Sequence, residues 1–392
     1  MSDHKKIFYI LASIAGILFL PYIGAYIHLN GDFPEDYFAF PALTAPAKAP
    51  FSLLVFCGVG VMFTASIVLY FYPYIFGFKR VPPVPKQTFQ KVKLPGWFWV
   101  GSIVFGTTLF LSWMKFSEPH FIINWGALPL FWGFTLMLDG WVFIRTGGKS
   151  LIAKSPREIL AIGFASIFGW MIFEYLNFFV DDNWVYPQGA LIADDEFVIY
   201  ALLGSAGLMP MVFEWYSLFN TFPKFRDSFT QGPKIIFPNW LKIALVVGCF
   251  AGMFSSAFFP DVMFECLWIG PLVIISIVLN ELKIWTPWTP MGKGNWSPML
   301  LVALAFLVQG FLTEFWNFYS AHDIMGNVTA CYNPDHWTYS VPYVNCLHVF
   351  EMPLMGLFGY LPFGVYSGVW WILFAYLLDI PTQFSETGHK NV

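Results

Sequence analysis

Apolar runs of about twenty residues recur along the whole chain, separated by short polar stretches rich in Pro, Gly, Asn and charge. About twenty apolar residues at 1.5 Å per residue cover roughly 30 Å of hydrocarbon, so the pattern predicts membrane-spanning α-helices. The runs fall at 7–28, 51–77, 97–114, 123–143, 158–180, 197–222, 240–259, 263–283, 298–319, 342–359 and 361–379. The expected fold is an all-α polytopic membrane protein of about 10–11 transmembrane helices. The alternating ten-residue segments of a membrane β-barrel are missing from the sequence.

Composition strengthens this class. Hydrophobic residues make up 57% and charged residues 11% of the 392, against about 45–50% and about 25% in globular chains. The lipid bilayer is therefore the expected partner, with subunits of a larger membrane complex as another. A net charge of −4 without a basic cluster excludes nucleic acid, whose phosphates need a dense Lys/Arg surface. The first run follows MSDHKK with no small-residue cleavage site behind it, and reads as an uncleaved span.

Basic residues fall on alternate connections: Lys5 and Lys6; Lys79, Arg80, Lys86, Lys91 and Lys93; Arg145, Lys149, Lys154 and Arg157; Lys224, Arg226 and Lys234; Lys283 and Lys293. By the positive-inside rule these face the cytoplasm, as does the N-terminus. The other connections hold Asp32, Glu35, Asp36, Asp181, Asp182, Asp194, Asp195 and Glu196. Trp97, Trp184, Tyr186, Trp240, Trp337 and Tyr339 stand near span ends, where amphipathic rings suit the headgroup layer.

A duplication runs through the pattern. LPGWFWV from Leu94 matches FPNWLKI from Phe237; Pro119 pairs with Pro260, Pro129 with Pro271, and Ser155-Pro156 with Ser297-Pro298. Glu174 and Asn177 pair with Glu314 and Asn317, Trp184-Val185-Tyr186 with Trp337-Thr338-Tyr339, and VFEW at Glu214 with VFEM at Glu351. The expected organisation is two N-terminal helices and a linker (1–92), a four-helix repeat (93–235), a second (236–360), and a last helix with its tail (361–392). An even number of spans per repeat gives both the same orientation, as in transporters built from parallel repeats.

Carboxylates inside spans cost about 2.5–3.5 kcal/mol on insertion scales, so they mark candidate sites. Glu174, Glu214, Glu314 and Glu351 are the four expected, with Asn177 and Asn317 one turn on and able to donate to the carboxylate. His348, three residues before Glu351, would share its helical face. Convergence near one axis would suit proton or cation handling. The competing expectation is structural: interhelical hydrogen bonds of about 0.6 kcal/mol each, copied by duplication.

Other signals are weaker. Glu-x-x-His with two copies is the order of di-metal bundles; this chain has one reversed pair and Met211 at the other position, so no metal is assigned. The loop 320–341 carries His322, Asp323, Cys331, Asp335 and His336 and reads as a lid or docking element. Five cysteines show neither CxxC nor CxxCH, and only Cys331 and Cys346, flanking one loop, suggest a disulfide. Asp139 reads as interfacial, and Gly147-Gly148-Lys149-Ser150 lacks the spacing of a phosphate loop.

The stretch FEMPLMGLFGYLPFGVYSGVWW (Phe350 to Trp371), preceded by HWTYSVP, resembles a pattern of uncharacterised polytopic bacterial inner-membrane proteins over about the last 60 residues. The resemblance implies an inner-membrane location and no particular activity. The leading functional expectation is proton- or cation-coupled transport of a small solute. The alternatives are a membrane-embedded enzyme or redox-complex subunit acting on a lipid, isoprenoid or quinone, and a structural subunit of a membrane complex. The sequence specifies neither catalytic residues nor a cofactor.

Overall fold

A computed structural model describes residues 3–82 and 91–385; Lys86 lies outside the described residues. The helices are α1 (Asp3–His28), α2 (Leu53–Phe71), α3 (Gly96–Trp113), α4 (His120–Asn124), α5 (Ala127–Arg145), α6 (Leu151–Lys154) and α7 (Pro156–Asn177). They continue as α8 (Asp194–Ser205), α9 (Leu208–Asn220), α10 (Pro223–Asp227), α11 (Asn239–Ser255), α12 (Pro260–Glu281), α13 (Ser297–Ala321) and α14 (Tyr360–Leu377). Pro156, Pro260 and Pro298 stand in first helical turns, where the missing N–H leaves no intrahelical bond unmade.

Among the described residues nine helical segments are long and apolar enough to cross a membrane. They make this a multi-pass membrane protein. With the shorter apolar helix α11 (17 residues), the chain traverses the bundle ten times. Hydrogen bonds between connections sort them onto two ends. At one end, Lys79 N–H donates to Gln231 O at 2.9 Å, Gly232 N–H to Gly294 O at 2.7 Å, and Gln383 N–H to Glu158 Oε1 at 3.0 Å. This is the basic end.

The opposite end is tied by Tyr186 N–H to Ala42 O at 2.7 Å and Ser52 N–H to Tyr343 O at 2.9 Å. Among the described residues only Lys48 and Lys115 bring a Lys or Arg to it, and neither is free. Lys48 donates to Val180 O and Asp181 O, and Lys115 to Tyr319 O. Each lysine thus meets the carbonyl-bearing end of a helix, where positive charge is favoured. Burial pulls both ammonium groups below the ordinary lysine range.

Close packing explains two glycines. A Cβ on Gly101 of α3 would stand 2.6 Å from Gly133 O of α5, and one on Gly364 of α14 would stand 2.3 Å from Val302 O of α13. Small residues let these backbones touch, the usual route to helix association in lipid.

Two expected spans come out differently. Residues 342–359 form no spanning helix: β3 (His348–Val349) pairs antiparallel with β4 (Met352–Pro353), and a 3₁₀ turn, Leu354–Gly359, leads into α14. Backbone at positive φ, at Tyr343, Leu347 and Phe350, breaks the apolar run into a hairpin. The last span is therefore Leu354–Leu377, and the expected boundary at 360 falls inside it. The second difference is that the span Asp194–Asn220 is broken between α8 and α9. Pro210, in the first turn of α9, has no N–H to offer Ala206 O four residues back, and its ring crowds that carbonyl, so the span breaks at 206–207. Ser166 of α7 bridges the gap: its hydroxyl donates to Ser205 O at 2.5 Å and accepts from Met209 N–H at 3.1 Å.

Candidate functional site

Glu174 and Glu314 lie near the ends of α7 and α13, and both are buried. Burying a carboxylate in a bundle requires donors, and the sequence supplies two for each glutamate from the loop that follows its helix and a third from a helix. Glu174 Oε1 accepts from Tyr186 Oη at 2.6 Å and from Trp170 Nε1 at 3.0 Å, while Oε2 accepts from Trp184 Nε1 at 3.1 Å. Glu314 Oε1 accepts from Trp337 Nε1 at 3.1 Å, Tyr339 Oη at 2.7 Å and Tyr360 Oη at 2.5 Å. Each carboxylate is surrounded by indole and phenol donors.

The asparagines do a different job from the one expected. Asn177 Oδ1 accepts from Asn183 N–H at 2.8 Å and its Nδ2 donates to Trp184 O at 3.0 Å. Asn317 takes the same grip on one residue, accepting from Trp337 N–H at 3.1 Å and donating to Trp337 O at 2.8 Å. They bind the returning loop, Asn177 donating also to Asp182 Oδ1 at 3.2 Å, and neither bonds its glutamate. An amide side chain offers one acceptor and two donors, which matches an unpaired loop peptide. Fixing the tryptophan backbone aims its indole at the glutamate one turn below.

The two returning strands then pair with each other. β1 (Trp184–Val185) lies antiparallel to β2 (Thr338–Tyr339), with Trp184 opposite Tyr339. Trp184, Tyr186, Trp337 and Tyr339, expected at the headgroup layer, instead turn inward because their N–H and O–H groups find carboxylates there. Burial and the neighbouring glutamates hold the phenols of Tyr186 and Tyr339 well above the ordinary tyrosine range.

Beneath this ribbon is a cavity of about 150 Å³, walled by Trp170, Trp184, Tyr186, Trp337, Tyr339 and Tyr360 and completed by Tyr200, Phe363, Gln309 and Asp335. Asp335 also borders a smaller space of about 50 Å³. Among the described residues its carboxyl makes no hydrogen bond. Burial, helped by the charge of Glu174, pushes its pKa up to about 8. Gln309 accepts from Trp215 Nε1 at 3.0 Å while its own Nε2 has no protein partner. The aromatic chamber thus contains one free acid and one free amide donor.

A second, more polar cavity of about 430 Å³ opens at the basic end, lined by Arg145, Lys149, Tyr216, Asn220, Arg226 and Asn295. Leu208 and Val212 of α9 border the aromatic chamber, and Tyr216 and Asn220 border the polar one. These four positions are spaced by four and form one helical stripe. Glu214 stands in the turn between them, buried beside Asp139, with no hydrogen bond to either carboxylate oxygen. Asp139 is not interfacial. It is fully buried and accepts from Trp97 Nε1, Ser150 Oγ and Ile152 N–H, each at 2.8 Å.

The four glutamates therefore do not share one cage. Glu174 and Glu314 flank the aromatic chamber and Glu214 lies towards the basic end, whereas Glu351 sits in the β3–β4 hairpin outside the bundle. His348 is exposed, bonded to Asn345 Oδ1 at 3.0 Å, and shares no helical face with Glu351. Cys331 and Cys346 are free thiols, as are the other three cysteines. Sequence reasoning passed over Tyr360, Gln309 and the placement of Asp335. Tyr360 carried a usable signal, because Tyr200-Ala-Leu-Leu-Gly204 and Tyr360-Leu-Pro-Phe-Gly364 share their end residues. Compared with protein families, with curated proteins and with solved structures, the chain matches none.

Proposed function

We propose that the protein exchanges protons for a small organic cation across the membrane. The observation that carries this reading is the stacking of two cavities along one stripe of a broken span, the polar one at the basic end. Val212 and Tyr216 are four residues apart, so about 6 Å of helix separates the chambers. Interrupted spans with half-open cavities at their break are the common architecture of alternating-access transporters.

The aromatic chamber suits a compact solute with an apolar body and a positive group. Ring faces attract cations by about 0.5–2 kcal/mol each, and the volume lies below the roughly 300–1,000 Å³ of drug-sized sites. Asp335 supplies the coupling. Near neutral pH it holds a proton, with a pKa of about 8; a cation arriving beside it favours the carboxylate and expels that proton. One charge replaces another at the same group, so the exchange is electroneutral. Glu214, beside Asp139, offers a second acid where the same exchange can follow towards the basic end.

The reading incorporates the duplication, with the second unit running through α14 so that Tyr200 and Tyr360 become equivalent. It also places the basic end in the cytoplasm of a bacterial inner membrane, by the positive-inside rule. The test is flux in vesicles containing the purified protein, with an internal pH dye and an imposed pH gradient. Small aromatic amines, compared with their uncharged analogues, should release protons only as the charged forms. Glu214→Gln and Asp335→Asn should each slow that release at least tenfold while the protein stays folded in detergent. Wild-type flux in both variants would sink the reading.

A further inference from the structure

Three residues the transport reading does not use come together above the aromatic chamber. His322 ends α13, His336 lies in the loop 322–337, and Glu351 is in the β3–β4 hairpin. One ligand atom from each lies within 4.8 Å of the other two. His336 Nε2 is 3.1 Å from Glu351 Oε1, and His322 Nδ1 is 3.4 Å from the same oxygen. Metal–ligand bonds of about 2.0–2.1 Å at a tetrahedral ion put neighbouring ligand atoms about 3.3 Å apart. The two distances match that edge.

We propose that His322, His336 and Glu351 bind a divalent d-block cation, with Zn²⁺ the best-fitting class, and that the ion fastens the lid over the aromatic chamber. Two imidazoles and a carboxylate favour such an ion over Mg²⁺ or Ca²⁺, which prefer all-oxygen shells. The ligand set also leaves an open fourth position. The His322 ring is already held, while the buried Nδ1 of His336 has no protein partner. His322 stacks on Phe318 with centroids 3.9 Å apart and planes 2° from parallel, and its Nδ1 lies 3.0 Å from Phe318 O. Because this is the same nitrogen that faces Glu351 Oε1, it gives up the carbonyl contact when its lone pair takes an ion. His336 is buried, while His322 and Glu351 keep 13% and 15% side-chain exposure, enough for an ion to enter from solvent.

The position of these ligands gives the ion its role. His336 lies between Asp335 and Trp337, both on the chamber wall, and Glu351 precedes Met352, also on that wall. An ion here would pin the loop and the hairpin to the end of α13. The exposed pair His120 and Glu118, 2.9 Å apart, has no third ligand within the same reach among the described residues and serves as an internal control.

The test uses the full chain in detergent, stripped with a chelator and titrated with Zn²⁺ against a chromophoric competitor. One Zn²⁺ per chain is expected at micromolar affinity or better. His336→Ala and Glu351→Gln should weaken binding at least thirtyfold, and His322→Ala, which disturbs less packing, should do the same. His348→Ala and His120→Ala should not change it. Equal binding by wild type and His322→Ala overturns the site. Zn²⁺ should also slow hydrogen exchange across 322–353 several-fold, and unchanged exchange overturns the fastening role. Neither readout depends on flux, so the site stands or falls separately from the transport reading.

Discussion

The niches around Glu174 and Glu314 use the same chemistry but differ in what they join. Glu174 takes one of its donors, Trp170, from its own helix one turn back, and both of its oxygens are engaged. Glu314 takes the equivalent donor, Tyr360, from α14, and its Oε2 has no protein partner. The first niche therefore closes on itself, while the second holds two helices together around a buried oxygen with acceptor capacity to spare. One design serves as an anchor in one place and as a coupling in the other.

The largest effect should come from removing either carboxylate. Glu174→Leu and Glu314→Leu each strand three donors in a buried setting, and at about 1–3 kcal/mol per orphaned group each should cost roughly 3–9 kcal/mol. Thermal unfolding in detergent measures this. A loss under about 1 kcal/mol at either position would make that niche dispensable.

A smaller effect separates the niches by charge. Asp335 has a folded pKa of about 8, raised by burial and by Glu174, against about 3.9 unfolded. Between those values the folded chain holds a proton that the unfolded chain has released, so stability falls as pH rises, by at most about 1.4 kcal/mol per unit. Below the unfolded pKa both states are protonated and the dependence ends. Asp335→Asn should flatten the slope of unfolding midpoint against pH. Glu174→Gln should shift its upper limit to lower pH, and Glu314→Gln should leave that limit in place. The reverse order would reassign the partner of Asp335.

The smallest effect tests the coupling itself. Tyr360→Phe removes one hydrogen bond without creating an unpaired donor, which should cost about 1 kcal/mol, and should speed hydrogen exchange in α14 and the turn before it. Trp170→Phe should cost a similar amount but leave exchange in α14 unchanged. Equal changes in α14 exchange would erase the distinction between anchor and coupling.

The spans and the Glu, Asn, Trp, Tyr order were legible in the sequence because apolar length and repetition are local signals. Trp184 and Tyr186 read as interfacial because a sequence gives depth along a helix but not the direction in which a loop folds back. Glu351 and His348 were misplaced for a related reason. The run 342–359 is apolar enough for a span, and its left-handed residues, Tyr343, Leu347 and Phe350, are not the Gly or Asn that usually announce such backbone. Likewise His322, His336 and Glu351 are separated by 14 and 15 positions and no spacing rule joins them. Asp139 read as interfacial because the groups that bury it, Ser150 and Ile152, arrive on a connection that doubles back.

The Ser166 hydroxyl sets a population as well as a geometry. Two hydrogen bonds worth about 0.5–1.5 kcal/mol each hold the halves of the broken span in line, so releasing both costs up to about 3 kcal/mol. At room temperature that leaves on the order of 1% of chains unlatched at any instant, within the range of minor states a ligand can draw upon. A single oxygen atom, bonded to Ser205 on the wall of the aromatic chamber, thus fixes how often the span is free to bend.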